Sequence, residues 1–161
     1  MNCKLPTSVS SPSDVASLIL EVRDYATWYR QYAVASKVKV DYRTTQPELT
    51  PTASAVIRDW AKDEPLSPQR LDQLIEELET IAAEAPVITL TLAAPAPAEI
   101  KKALVGWCRT NLNASMLVTF HFNSTLLGGM VVRYGSRIYD WSFRRSIMEH
   151  RHRLPEIISN V

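Results

Sequence analysis

Three times in the first 70 residues, a Ser-Pro or Thr-Pro pair stands directly ahead of an apolar stripe with helical spacing. A hydroxyl residue can accept a hydrogen bond from the first helical turn, and proline fits that turn's first position, where no intrahelical donor is needed. Ser11-Pro12 precedes Val15, Leu18, Ile19, Val22, Ala26, Tyr29 and Ala33, and Tyr25, Trp28 and Tyr32 widen this stripe. Thr50-Pro51 precedes Ala53, Val56, Ile57 and Trp60. Ser67-Pro68 precedes Leu71, Leu74, Ile75, Leu78, Ile81 and Ala82, with Glu76, Glu77 and Glu79 on the wet side. The spacing predicts three helices and an all-helical region over residues 1–85. The stretch KVKVDYRTTQPEL between the first two helices reads as a loop that could begin with a short strand.

Pro86 ends that regime. VITLTL, residues 87–92, is rich in β-branched residues and predicts a strand. The Ala/Pro stretch after it turns the chain into a helix near Pro97, whose expected apolar face is Ile100, Leu104, Trp107 and Cys108. Met116, Val118, Phe120 and Phe122 alternate with Leu117, Thr119 and His121, which is the period of a half-buried strand. GMVVRY and RIYDW predict a hairpin turning at Gly135-Ser136, and Ser142 is placed to cap a last helix running to about Leu154. The chain is therefore expected to be α+β, with helices over 1–85 and a β-α-β-β-β-α domain over 86–161.

Three of the four glycines fall between residues 128 and 135, so a phosphate-binding loop has to be weighed. Gly128-Gly129 runs into Met130, Val131 and Val132, with no lysine and no helix N-terminus to complete such a loop. A turn or bulge that needs φ > 0 is the better reading. His150 and His152 are two apart, so on a helix they diverge, whereas helical metal-ligand pairs favour spacings of three or four. His121, Cys108 and Asp140 form no recognisable nucleophile-base motif. Asp140, two residues before a capping serine, suits a structural acceptor of hydrogen bonds. No cofactor is implied. Cys3 and Cys108 are far apart and lack CxxC partners, which suits free thiols, with a single disulfide left open. The start, MNCKLPTSVSSPSD, shows no signal core, and the longest apolar run is too short and proline-broken to span a bilayer. A net charge of +1 makes no overall case for nucleic acid. The last helix still carries Arg144, Arg145, Arg151 and Arg153, diluted by Glu149 and Glu156. A small RNA-binding or ribosome-associated α+β protein is accordingly the alternative reading.

Leu126, Leu127, Gly128, Gly129, Val131, Val132, Arg133, Gly135, Ile138, Asp140, Ser142 and Arg144 follow one another in the order of a known signature. The stretch resembles the C-terminal end of the ATP synthase delta subunit, or oligomycin-sensitivity-conferring, family, and the similarity extends over residues 87–154. The chain departs from that pattern at Trp141, where glycine is usual, at Arg145, where a small residue is usual, and at His150, where leucine is usual. Its first 85 residues are too few for the six-helix bundle usual in the family. The resemblance implies a non-catalytic stator component of F1Fo ATP synthase, tying the F1 head to the peripheral stalk during proton-driven ATP synthesis. It implies b-type stalk subunits as partners of residues 86–161, and F1 alpha subunits as partners of residues 1–85. It further implies a peripheral position at the cytoplasmic face of the membrane, with no direct membrane insertion. Leu127, Gly128, Gly129, Arg133, Gly135, Asp140, Ser142 and Arg144 are then expected to be structural or docking residues.

Overall fold

Each Ser/Thr-Pro pair opens a helix in the computed structural model, which describes residues 4–38, 45–62 and 64–151. These helices are α1 (Pro12–Val38), α2 (Pro51–Trp60) and α3 (Pro68–Glu84). Ser11 Oγ accepts from the Asp14 N–H, and the Asp14 carboxylate accepts in return from the N–H groups of Ser10 and Ser11 and from the Ser10 hydroxyl. This is a reciprocal capping box. Burial raises the Asp14 pKa, but the hydrogen bonds from Ser11 and Ser10 outweigh it and hold the carboxyl below its ordinary value. Thr50 accepts from the Ala53 N–H and Ser67 from the Arg70 N–H, capping α2 and α3. Thr50 also donates its N–H and hydroxyl to Glu21 of α1, which fixes where α2 begins.

The chain divides into two compact units, Met1–Ala85 and Pro86–Val161. In the first, α1 and α3 lie antiparallel. Arg23 pairs with Glu79 and Arg30 with Asp72, so residue numbers rise along one helix as they fall along the other. Val15, Leu18, Ile19, Val22 and Ala26 are buried, as are Leu71, Leu74, Leu78 and Ile81 of α3 and the expected face of α2. Ala82 is exposed, one place beyond the useful end of that stripe. The α1 aromatics divide. Tyr29 is half-buried with its hydroxyl donating to the Leu66 carbonyl, while Tyr25, Trp28 and Tyr32 form a ladder with centroids 5.6 and 5.3 Å apart, ending in the exposed Tyr32. Lys37 and Val38, where a short strand could have begun the first loop, instead belong to α1; residues 39–44 and Cys3 lie outside the described residues.

The second unit contains β1 (Val87–Leu92), α4 (Ala98–Asn111), β2 (Leu117–Phe122), a 3-10 turn (Ser124–Leu126), β3 (Gly129–Tyr134), β4 (Arg137–Ser142) and α5 (Phe143–Glu149). The sheet order is β2-β1-β3-β4, with β1 parallel to β2 and the other neighbours antiparallel. The protein is α+β, as the sequence indicates. Ile88, Leu90, Val118 and Val132 form a core with Val105, Cys108 and Met116, so α4 covers the face carrying those side chains.

Three expectations are corrected. Ile100 and Trp107 of α4 are exposed and Val105 is its fully buried anchor, because only a narrow stripe of a helix can meet a flat sheet. The Gly128-Gly129 pair, expected as a turn or bulge between two strands, leads straight into β3, with Gly129 as its first residue, at the end of a connection from β2 on the far side of β1. α5 ends at Glu149 instead of running to Leu154, with His150 as its C-cap donating its N–H to the Ser146 carbonyl; residues 152–154 lie outside the described residues.

Candidate docking surface

Strand alternation decides what the uncovered half of the sheet presents. On the face shared with α4, the register sets Met130 opposite Trp141, Val132 opposite Tyr139 and Tyr134 opposite Arg137. α4 spans the parallel pair β1 and β2, leaving the outer side of β3 and β4 open beside it. The result is a groove of about 840 Å³, with Cys108, Met116 and Val132 at its base and Trp107 and Trp141 among the side chains around it. Trp107 is 58% and Trp141 62% exposed. Tyr139 and Trp141 stack with centroids 6.0 Å apart. Large apolar side chains gathered and exposed along one groove are a common feature of surfaces that take up another chain.

Arg109 fixes the lower end of α4 by donating Nε–H to the Met116 carbonyl at 3.2 Å. Burial pushes the Cys108 thiol above its ordinary pKa, so it behaves as a small apolar side chain of the base.

Of the residues in the signature order, Val132 lies at the base of this groove, and Leu127, Gly128, Gly129, Arg133, Gly135, Asp140, Ser142 and Arg144 are not among its lining side chains. Gly129 opens β3 at φ +76°, and a Cβ there would stand 2.2 Å from the Trp141 carbonyl oxygen. A Cβ on Gly128 would stand 2.3 Å from Cδ2 of the Phe143 ring. Gly135, at φ +58°, starts the two-residue β3–β4 turn with open space around it. Leu127 adopts a left-handed conformation, φ +62°, and is 68% exposed. Arg133 and Arg144 are exposed. Asp140 accepts the Ser142 N–H at 2.9 Å, and the buried Ser142 accepts the Arg145 N–H to cap α5. The bond to Ser142 is the chief reason the Asp140 carboxyl is held below its usual range.

Asp140 thus supports the strand-to-helix junction, His121 is exposed on β2, and Cys108 is buried below the groove; nothing brings the three together. The His150 ring lies 2.8 Å from the Ser146 carbonyl, and among the described residues no group of three His, Cys, Asp or Glu is arranged to hold a metal. No described helix is long and apolar enough to cross a membrane. Sequence reading passed over the groove residues Met130, Tyr134, Tyr139 and Trp141. The available signal was that β4 carries aromatics at alternate positions, which one covered face does not require.

A family model, ATP synthase delta (OSCP) subunit, matches residues 64–154, more than half of the chain. The match begins well before residue 87 and takes in α3 along with the second unit. No curated protein matches the chain significantly.

Proposed function

Because the chain belongs to the ATP synthase delta (OSCP) subunit family, we propose that it is a non-catalytic stator component that ties the F1 head of a rotary ATP synthase to its peripheral stalk. The observation that carries this reading is the apolar groove between α4 and the β3–β4 hairpin, which lies within the matched residues. Holding a head still against rotor torque needs a packed contact with a desolvated centre and a polar rim. The groove supplies the centre through Trp107, Tyr139 and Trp141, and Asn111 and Asn113 stand around it. An amphipathic helix from the end of a b-type stalk subunit is the expected occupant. The first unit, with its aromatic ladder on α1, is the expected contact for F1 alpha subunits. The chain would work as a peripheral part of the complex at the cytoplasmic face of the membrane, without cofactor or nucleic acid.

Covering Trp107 and Trp141 would each remove on the order of 100 Å² of apolar surface from water, worth about 2–3 kcal/mol. The test is a binding titration of the full chain with the C-terminal segment of the stalk subunit. Trp107→Ala and Trp141→Ala should each weaken binding about 10- to 100-fold while thermal stability changes little, because both side chains are exposed. Undiminished binding by the double variant would overturn the assignment of the groove. A chain starting at Pro86 is expected to retain stalk binding, and retention only by residues 1–85 would reverse the division of labour.

A further inference from the structure

A second surface of the same unit borders the groove at Tyr139 and Trp141. β4 is an edge strand, and the Phe143 N–H bonds to the Gly128 carbonyl, which fixes the parity of the ladder. Arg137, Tyr139 and Trp141 therefore direct their backbone groups to β3, and Ile138, Asp140 and Ser142 direct theirs outward. The Ser142 N–H is taken by the Asp140 carboxylate. The N–H and C=O of Ile138 and Asp140 have no partner among the described residues. Folded proteins usually blunt such an edge with charged side chains, proline or a bulge, and of these β4 has only the charges of Arg137 and Asp140. Ile138 is 63% exposed on one side of the strand. A second depression of about 540 Å³ runs along the edge between β4 and α5, bounded by Ile138, Phe143, Arg145 and Ser146.

Charge selects what fits there. Of the acids beside the depression, Asp140 is committed to Ser142 and Glu149 to Arg145 at 2.7 Å. Arg137 begins β4 and Arg144 stands in the first turn of the following α5, each without an ion-pair partner among the described residues.

We propose that the β4 edge is a docking site for an extended acidic segment of a protein partner, which adds as a fifth strand along Ile138–Asp140 and places carboxylates against Arg137 and Arg144. Backbone bonding supplies the affinity and the end charges supply the register. The edge borders the stalk groove and shares Tyr139 and Trp141 with it, but it offers outward backbone groups that the α4 face does not.

The experiment uses the full chain and two fluorescein-labelled hexapeptides, Glu-Val-Thr-Val-Thr-Glu and Lys-Val-Thr-Val-Thr-Lys, titrated by fluorescence anisotropy. The acidic peptide should bind at least tenfold more tightly and should slow amide exchange at Ile138 and Asp140. Ile138→Pro removes an outward N–H without costing a β3–β4 bond, and should weaken binding tenfold or more. Should that variant fail to fold by circular dichroism, Arg137→Glu with Arg144→Glu serves instead and should abolish the preference for the acidic peptide. Equal binding of the two peptides, or no binding at millimolar concentration, would overturn the proposal. So would self-association of the chain that Ile138→Pro abolishes, which would make a second copy the occupant.

Discussion

Replacing Gly129 with alanine separates two ways in which a glycine can be required. At φ +76° an L-residue is strained by about 1–2 kcal/mol. The stiffer unfolded chain returns about 0.4–1 kcal/mol of that. The new Cβ would also meet backbone on the neighbouring strand, 2.2 Å from the Trp141 oxygen and 3.2 Å from the Ser142 Cα. Neither atom can turn aside, so β3 and β4 must part, at a typical overpacking cost of about 1–3 kcal/mol. Gly129→Ala should therefore lose about 2–4 kcal/mol, a large share of the roughly 5–15 kcal/mol that holds a domain folded. Gly135→Ala meets the φ strain alone and should lose about 1 kcal/mol or less. Gly128→Ala displaces a Phe143 ring that is 60% exposed and free to swing, so its cost should also stay near 1 kcal/mol. Urea denaturation followed by tryptophan fluorescence reads this order, since Trp107 and Trp141 report on the second unit. If Gly129→Ala stays within about 0.5 kcal/mol of the parent, or costs less than Gly128→Ala, the steric reasoning is wrong.

Leu74 is fully buried on α3, so Leu74→Ala should cost about 2–5 kcal/mol in urea denaturation, whereas Leu20→Ala, 60% exposed on α1, should stay within about 0.5 kcal/mol. The folded-state pKa of Asp14 is lowered, so its contribution is fully present above the unfolded value near 3.8 and is lost as pH falls through the lower folded value. Asp14→Asn should therefore differ from the parent in urea midpoint at neutral pH, and the difference should fade on acidification. Buried and raised in pKa, the Cys108 thiol should react with a disulfide reagent at pH 7 far more slowly in the folded chain than in urea; equal rates would mean that the base of the groove is open. Titration with Mg-ATP should give no heat above dilution, and a micromolar site would contradict a purely mechanical role.

Local chemistry made the helix starts and the β3–β4 hairpin legible. Ser11, Thr50 and Ser67 cap helices because the hydroxyl and the proline act within one turn, whatever the rest of the chain does. Gly135 likewise announces its turn. What the sequence hid was tertiary. Trp107 has the right helical spacing for the core, but α4 meets the sheet through Val105 and Cys108, and a stripe alone cannot say which edge is covered. The sheet order was hidden too: pairing β3 with β1 instead of β2 is a long-range choice that no local period encodes. Consequently Gly128-Gly129 read as a turn or bulge between two strands, with nothing to show that it ends a path across the sheet from β2 to β3. The groove followed from that missed order, because it exists only where β3 and β4 extend beyond α4.

Trp141 joins the glycine requirement to the docking surface. Its carbonyl oxygen is the atom that forbids a side chain at position 129, and its indole stands beside the groove. Widening the β3–β4 spacing at Gly129 would therefore displace Trp141 as well as weaken the sheet. Gly129 opens a strand and is followed by β4, not by a helix, so it lacks the helix-terminal amides that converge on an anion. A phosphate-binding glycine, when replaced, loses ligand affinity with little change in stability. Here stability and stalk binding should fall together in Gly129→Ala, and stalk binding alone should fall in Trp141→Ala. A Gly129→Ala variant that unfolded more easily yet bound the stalk segment with parental affinity would separate the two roles and break the link through Trp141.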